Sequence, residues 1–294
     1  MPSITEIDRR HAVYYESMMG AIFEMYKFSG IMGVGLFDLY RENVLKAWSW
    51  AISQSSRHLE AARLCILFPL DRTELFSLRL EPAQLMGRLQ SSLACATREG
   101  DQKSSGRLLR EMGDVYALNR DVEQSLTCYL QSEERCREAR DEEGEAMSLS
   151  GQGKAHTQLH DLTAAIHCLE RSLRLFQEIE IADGEADALS SLAAAHLLSG
   201  LAEQAVEFYE LSLKIYRKID KYKGEAIALC GLGEARTALG QSNEAEKLFE
   251  EALVLFRQLL DQHGESRVLS SMSTVKEKVF AGQMVRGGQD VQQT

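Results

Sequence analysis

The sequence predicts an all-α chain, a solenoid of helix-turn-helix repeats preceded by a small helical N-terminal bundle. Three observations carry this expectation. Apolar residues recur at helical spacing along most of the 294 residues. Only 3 prolines are present to interrupt helices. One residue pattern also returns every forty positions through the C-terminal two thirds.

The repeat defines the main elements. Gly144-Glu145-Ala146, Gly184-Glu185-Ala186, Gly224-Glu225-Ala226 and Gly264-Glu265-Ser266 share one register. Leu109, Leu149, Leu189 and Leu229 form an apolar column. Gly113, Gly153, Ala193 and Gly233 form a small one, as do Ser125, Ala165, Ala205 and Ala245. Tyr129, Leu169, Tyr209 and Phe249 are large, and Ser132, Ser172, Ser212 and Ala252 are small again. Within a unit, 145–159 and 162–180 read as paired helices, the second carrying Ala165, Leu169, Leu173 and Phe176 on one face. Small columns on both helices let the pair approach closely, and the large column fills the space beside them. Gly200 and Gly240 fall where the chain turns and a positive φ is useful. The Gly-Glu pair is expected to separate one helix from the next, with Glu in a first turn meeting the positive dipole end.

Ahead of the array, residues 5–28 read as one helix. A glycine-broken link (Gly30, Gly33, Gly35) and a second helix over 36–53 follow, then a third that ends at Pro69. Trp48 and Trp50 are expected to be core anchors. The organisation is therefore 1–80 as an N-terminal cap and 81–280 as the array. The array comprises a lone second helix near 81–98, four units from about 105, 145, 185 and 225, and a capping helix at 265–280. Residues 281–294 read as a disordered tail.

Leu in the first helix, Gly or Ala after it, Ala early in the second helix and Tyr or Phe four residues on resemble the tetratricopeptide repeat. That family's unit is about 34 residues and ends in Pro; here it is forty without the Pro, the extra residues expected in the second helix and its following loop. HEAT repeats share the length but lack this pattern of small and aromatic columns. The resemblance implies a right-handed α-solenoid. The N-terminal stretch RRHAVYY…LFDLYRENVLKAWSWA…AARLC is similar to the segment that joins the nucleotide module to the repeat array in bacterial signalling ATPases of the NB-ARC (STAND) type. That likeness implies a sensor portion separated from its ATPase.

Composition excludes several classes. The 44 acidic and 33 basic residues give a net charge of −11, unsuited to gripping phosphate backbones. Residues 1–80 balance nine acids with nine bases, so the excess negative charge lies wholly in 81–294. Six scattered cysteines without a CxxC are not a disulfide framework. The start lacks a signal-peptide layout, and no apolar run reaches the length of a membrane span. A reduced, soluble, cytoplasmic protein is expected, with no nucleic-acid or membrane partner.

No catalytic constellation emerges. Gly153-Lys154 lacks the preceding glycine spacing and the following Ser or Thr of a P-loop. His156 and His160 are four apart, but no third metal ligand follows at a family spacing. Cys128 and Cys168 are one period apart and read as a packing position. No enzyme activity, cofactor or metal ion is expected.

What remains is surface. The resemblance implies that the first helices line a concave groove that takes a peptide or a partner helix. Carried onto this chain, its positions are Arg107, Arg110, Asp114 and Ala117, then Lys154, Thr157 and Gln158. Asp187, Ser190 and Leu197 follow in the third unit, and Cys230, Glu234 and Thr237 in the fourth. The family's carboxylate clamp is not matched, since Asp114 stands one turn after Arg110 where that clamp has Asn. The groove is expected to be basic at Arg107, Arg110 and Lys154 and acidic at Asp187 and Glu234, orienting a dipolar peptide. The expected function is a non-catalytic protein- or peptide-binding scaffold or adaptor. Alternatives are the sensor part of a STAND-type ATPase and a peptide-controlled regulator of a partner enzyme.

Overall fold

The computed structural model describes residues 4–259 and 261–275. The described residues form fourteen helices and no strand. They are α1 (Ile4–Phe28), α2 (Gly30–Gln54), α3 (Leu59–Leu67), α4 (Thr73–Ser77), α5 (Pro82–Arg98), α6 (Gln102–Leu118), α7 (Val122–Glu138), α8 (Glu142–Gln158), α9 (Leu162–Glu178), α10 (Ala182–Leu198), α11 (Ala202–Lys218), α12 (Tyr222–Ala238), α13 (Ser242–Gln258) and α14 (262–275). Within each unit consecutive helices pack on one another, α5 to α8 in the first and α9 to α13 in the second, as the α-solenoid that the forty-residue period predicts. The chain divides into two compact units between Leu159 and His160. The expected tail at 281–294 and the end of the expected capping helix lie outside the described residues.

The array keeps a strict beat. Every helix from α6 to α13 has 17 residues and begins twenty residues after the one before. The extra length over a 34-residue unit is therefore shared by both helices, where the sequence reading put it in the second helix and its loop. Each link is three residues long, and its middle residue is left-handed. Gly100, Arg120, Arg140, His160, Glu180, Gly200, Asp220 and Gly240 have φ between 54° and 78°. Around Gly200, the Leu201 amide donates to His196 O at 2.9 Å and the Gly200 amide to Leu197 O at 3.0 Å. This closes the last turn as a Schellman motif. Helix starts are capped in part by aspartate. The side chains of Asp101, Asp121 and Asp161 accept from the amides of Ser104, Gln124 and Ala164.

The Gly144 column does not separate helices, as the sequence reading expected. It lies inside the first turns of α8, α10, α12 and α14. Its cause is close packing by the last turn of the helix before. A Cβ on Gly184 would sit 2.2 Å from Phe176 Cε1, one on Gly224 2.3 Å from Tyr216 Cε1, and one on Gly264 2.2 Å from Phe256 Cδ1. The small columns work the same way. The Tyr129 ring is wedged between Gly113 on α6 and Gly151 on α8, its Cε1 2.6 Å from where a Cβ on either would stand. The serine column bridges helices, since Ser132 Oγ donates to Gly106 O at 2.7 Å and Ser212 Oγ to Ala186 O at 2.8 Å.

In the first unit, α1 and α2 form a hairpin with only Ser29 between them. The glycines expected to break the chain at 30–35 are helical. Gly33 is required because α2 crosses α1 there, and a Cβ would meet Tyr26 Cα at 2.3 Å. Trp48 is fully buried, stacked on Phe68 and tilted against Phe76, whereas Trp50 is only half-buried. One core runs from Ala12 through Leu85 and Leu108 to Cys128, so α1–α5 and the first repeat pair share it. The second unit has its main core around Tyr209, Tyr216, Phe249 and Phe256.

Candidate partner-binding surface

The first helices of the pairs, α6 and α8 in one unit and α10 and α12 in the other, carry all the positions expected in the groove. In the first unit most of them are already engaged. Arg107 Nε donates to Asp141 Oδ2 at 2.7 Å, its Nη2 to Asp141 Oδ1 at 3.0 Å and to Glu143 Oε2 at 2.7 Å, and its Nη1 to Asp71 Oδ2 at 3.2 Å. Arg110 is buried, with Nη2 2.6 Å from Asp71 Oδ1 and 2.5 Å from Glu111 Oε1, and Nη1 3.3 Å from Asp114 Oδ2. Asp114 also accepts from the Tyr129 hydroxyl at 2.6 Å. Counting Lys103, which pairs with Asp141, three cations meet the five carboxylates of Asp71, Glu111, Asp114, Asp141 and Glu143. The expected basic end is thus an over-neutralised clasp between α6, α8 and the turn before α4. Its charges hold the fold and leave little free positive potential.

The clasp shifts its own titrations. Burial raises Asp141, but hydrogen bonds and charge from Arg107 outweigh it and hold the carboxyl below its usual range. Burial dominates at Glu111, whose pKa is pushed up to about 7 despite Arg110. Burial and the Asp114 charge together raise the Tyr129 phenol.

Farther along α8, Lys154 and Gln158 are exposed, and Thr157 Oγ1 donates to Gly153 O at 2.8 Å. In the second unit Asp187 is half-buried and accepts from the Tyr216 hydroxyl. Ser190 is buried and Leu197 half-buried against the core. Cys230 is fully buried, its thiol 3.6 Å from Glu234 Oε1. Glu234 also accepts from Arg267 Nη2 at 3.2 Å and from Ser271 Oγ at 3.2 Å. Thr237 Oγ1 donates to Gly233 O at 2.8 Å.

The period exposes a feature that the residue-by-residue reading missed. The position of Arg107 recurs as Met147, Asp187, Ile227 and Arg267. Every one of these is at least partly exposed, and Ile227 is 38% exposed. Packing columns hold residues of one size class, whereas this column changes from base to thioether to acid to apolar to base. The carboxylates Asp71, Glu111, Asp141 and Glu143 were also missed; Asp71 comes from a turn 36 residues before Arg107, with no spacing rule to announce it.

Helix pairs at a fixed beat, with small columns receiving rings, define a helical-repeat scaffold. The tetratricopeptide repeat model matches residues 104–178 and 184–275. The chain belongs to the tetratricopeptide-repeat family. Among solved structures, a Rap protein complexed with competence and sporulation factor superposes with a TM-score of 0.65 at 11% identity, covering 98% of this chain and 90% of that one. Aspartyl phosphate phosphatase F from Bacillus subtilis gives 0.63 at 10% identity, covering 96% and 83%. A signal transduction ATPase with numerous domains and a tetratricopeptide repeat sensor, from Pyrococcus horikoshii, gives 0.57 at 14% identity. It is covered over 46% of its length and covers 88% of this chain. At these identities the likeness is one of fold. A search of curated proteins finds no match. No described helix is long and apolar enough to cross a membrane.

Proposed function

We propose that the chain is a protein- or peptide-binding scaffold, without chemistry of its own, that engages its partner through exposed side chains of its first helices. A tetratricopeptide fold is ordinarily a non-catalytic interaction module. The observation that carries the proposal is the column that continues from the clasped Arg107 as Met147 in the first unit and as Asp187, Ile227 and Arg267 in the second. Within the second unit it presents an acid, an apolar residue and a base on successive first helices, as a surface that reads successive side chains of an extended partner requires. The solved Rap protein holds a factor on the same fold, which supports a regulatory scaffold.

The test places a photo-crosslinking residue at Ile227 or Lys154 and, as a control, at Glu246 on the exposed side of α13. A partner captured at the first-helix positions and lost on Ile227→Arg supports the proposal. Equal capture at Glu246, or capture indifferent to Ile227→Arg, sinks it.

A second reading makes the chain the sensor part of a signalling ATPase. It is supported by the N-terminal segment's likeness to such proteins and by the superposition over 88% of this chain. An ATPase whose hydrolysis rate responds to the added chain is its expected outcome. A rate unchanged by the chain discards it.

A further inference from the structure

Beyond partner binding, the first unit holds a pair of thiols that the scaffold reading does not use. Cys65 on α3 and Cys95 on α5 are both buried, and their sulfurs lie 3.4 Å apart. Ser92 reinforces the crossing, its Oγ donating to Cys65 O at 2.6 Å and standing 3.7 Å from Cys65 Sγ. We infer that Cys65 and Cys95 are a disulfide-forming pair, a covalent modification site that staples the N-terminal bundle to the first helix of the array.

The geometry is close to that of the bond. A disulfide is about 2.05 Å long, so the sulfurs must close by roughly 1.4 Å from their 3.4 Å separation. Backbone approach at this crossing is already set by Ser92 and the neighbouring Ala61, Ala62 and Ala96, all fully buried small residues. The other cysteines have different surroundings. Cys136 packs on Gly106 and Gly144, and the Cys230 thiol points at Glu234.

The chemistry needs an oxidant of the disulfide class, RSSR. One cysteine thiolate attacks a sulfur of RSSR and expels RS⁻, giving a mixed disulfide. The second cysteine then attacks the protein sulfur of that mixed disulfide and expels the second RS⁻. Two S–H bonds are lost and one S–S bond forms. The two protons and two electrons leave on two molecules of RSH. Burial pushes the Cys65 thiol up to about 12, so little thiolate exists in the closed structure. Exchange therefore proceeds when the nine-residue α3 lifts from α5, and the product locks the two together on closing.

The test incubates the whole chain, native and in sub-denaturing urea, in glutathione buffers of stepped reduced-to-oxidised ratio. Acid quench, alkylation, digestion and mass spectrometry follow. The expected product is a Cys65–Cys95 cross-linked peptide lighter by two hydrogens, about tenfold more abundant than any other pairing and formed faster in urea. The oxidised chain should melt higher than the reduced one, and a Cys65→Ser/Cys95→Ser variant should not respond to oxidant. Separate glutathione adducts on Cys65 and Cys95, or cross-links spread evenly over the six cysteines, overturn the inference. The wild-type mass measurement decides even if the double variant fails to fold.

Discussion

Arg107 grips Asp141 through two parallel hydrogen bonds, of 2.7 and 3.0 Å, and diverts from α8 the aspartate cap that α6, α7 and α9 keep. Both side chains are largely withdrawn from water, at 14% and 4% exposure. Removing one partner strands the other. Arg107→Met should cost about 2–4 kcal/mol at neutral pH. Because the folded Asp141 pKa is depressed, its contribution is complete above the unfolded carboxylate value of about 3.9 and is lost as pH falls through the lower folded value. Urea melts should therefore show wild type and variant converging as pH falls below about 4. A gap that persists there would contradict the assignment.

Glu111 has the opposite sign. Its folded pKa, about 7, lies above the unfolded one, so the native state favours the protonated acid. The group's contribution is greatest at low pH and is lost as pH rises through the folded value. Glu111→Gln should flatten the decline in stability between about pH 5 and pH 7.5. Denaturant midpoints across that range measure it, and an unchanged slope would reassign the decline to another group.

Two glycine substitutions should move in opposite directions. Gly224→Ala puts a methyl 2.3 Å from the Tyr216 ring and should destabilise by roughly 1–3 kcal/mol. Gly87 sits on the exposed side of α5 with nothing within 4 Å, so Gly87→Ala should stabilise by about 0.5–1 kcal/mol. Paired thermal melts suffice. Two shifts of the same sign would deny that ring contact is what keeps the column small.

Glu180 is an exposed residue held at φ 55° in the link between helix pairs, where Gly100 stands at the equivalent position two repeats earlier. Glu180→Gly relieves a Cβ–carbonyl clash of about 1 kcal/mol and should raise the melting temperature despite greater freedom in the unfolded chain. A fall would mean that the entropic loss outweighs the relief.

The array was legible in the sequence because packing positions tolerate a narrow range of volumes. Leu109, Leu149, Leu189 and Leu229 repeat for the same reason that they are buried. The helices of the N-terminal bundle were legible too, except where glycines at 30–35 suggested a break. Local propensity lost there to a tertiary demand, the close crossing of Gly33 over Tyr26. The Gly144 column was found, but its reason lay eight residues upstream on another helix, in rings such as Phe176. Arg107 and Arg110 read as free cations because Asp71, which neutralises part of both, lies in a turn outside the repeat. Sequence spacing reports periodic contacts well and aperiodic ones poorly.

The twenty-residue beat also constrains how such a gene can change length. Left-handed links recur every twenty residues, but each ring and the glycine that receives it keep one fixed place in a forty-residue frame. A duplication of forty codons within α10–α13 copies a whole helix pair with both of its mating faces, so it can be inserted without redesign. A gain of twenty would put a second helix where a first belongs, and rings such as Tyr209 would lose the glycines that admit them. The array is thus a quantised tape, able to grow or shrink in forty-codon steps while its open face takes on a new letter with each one.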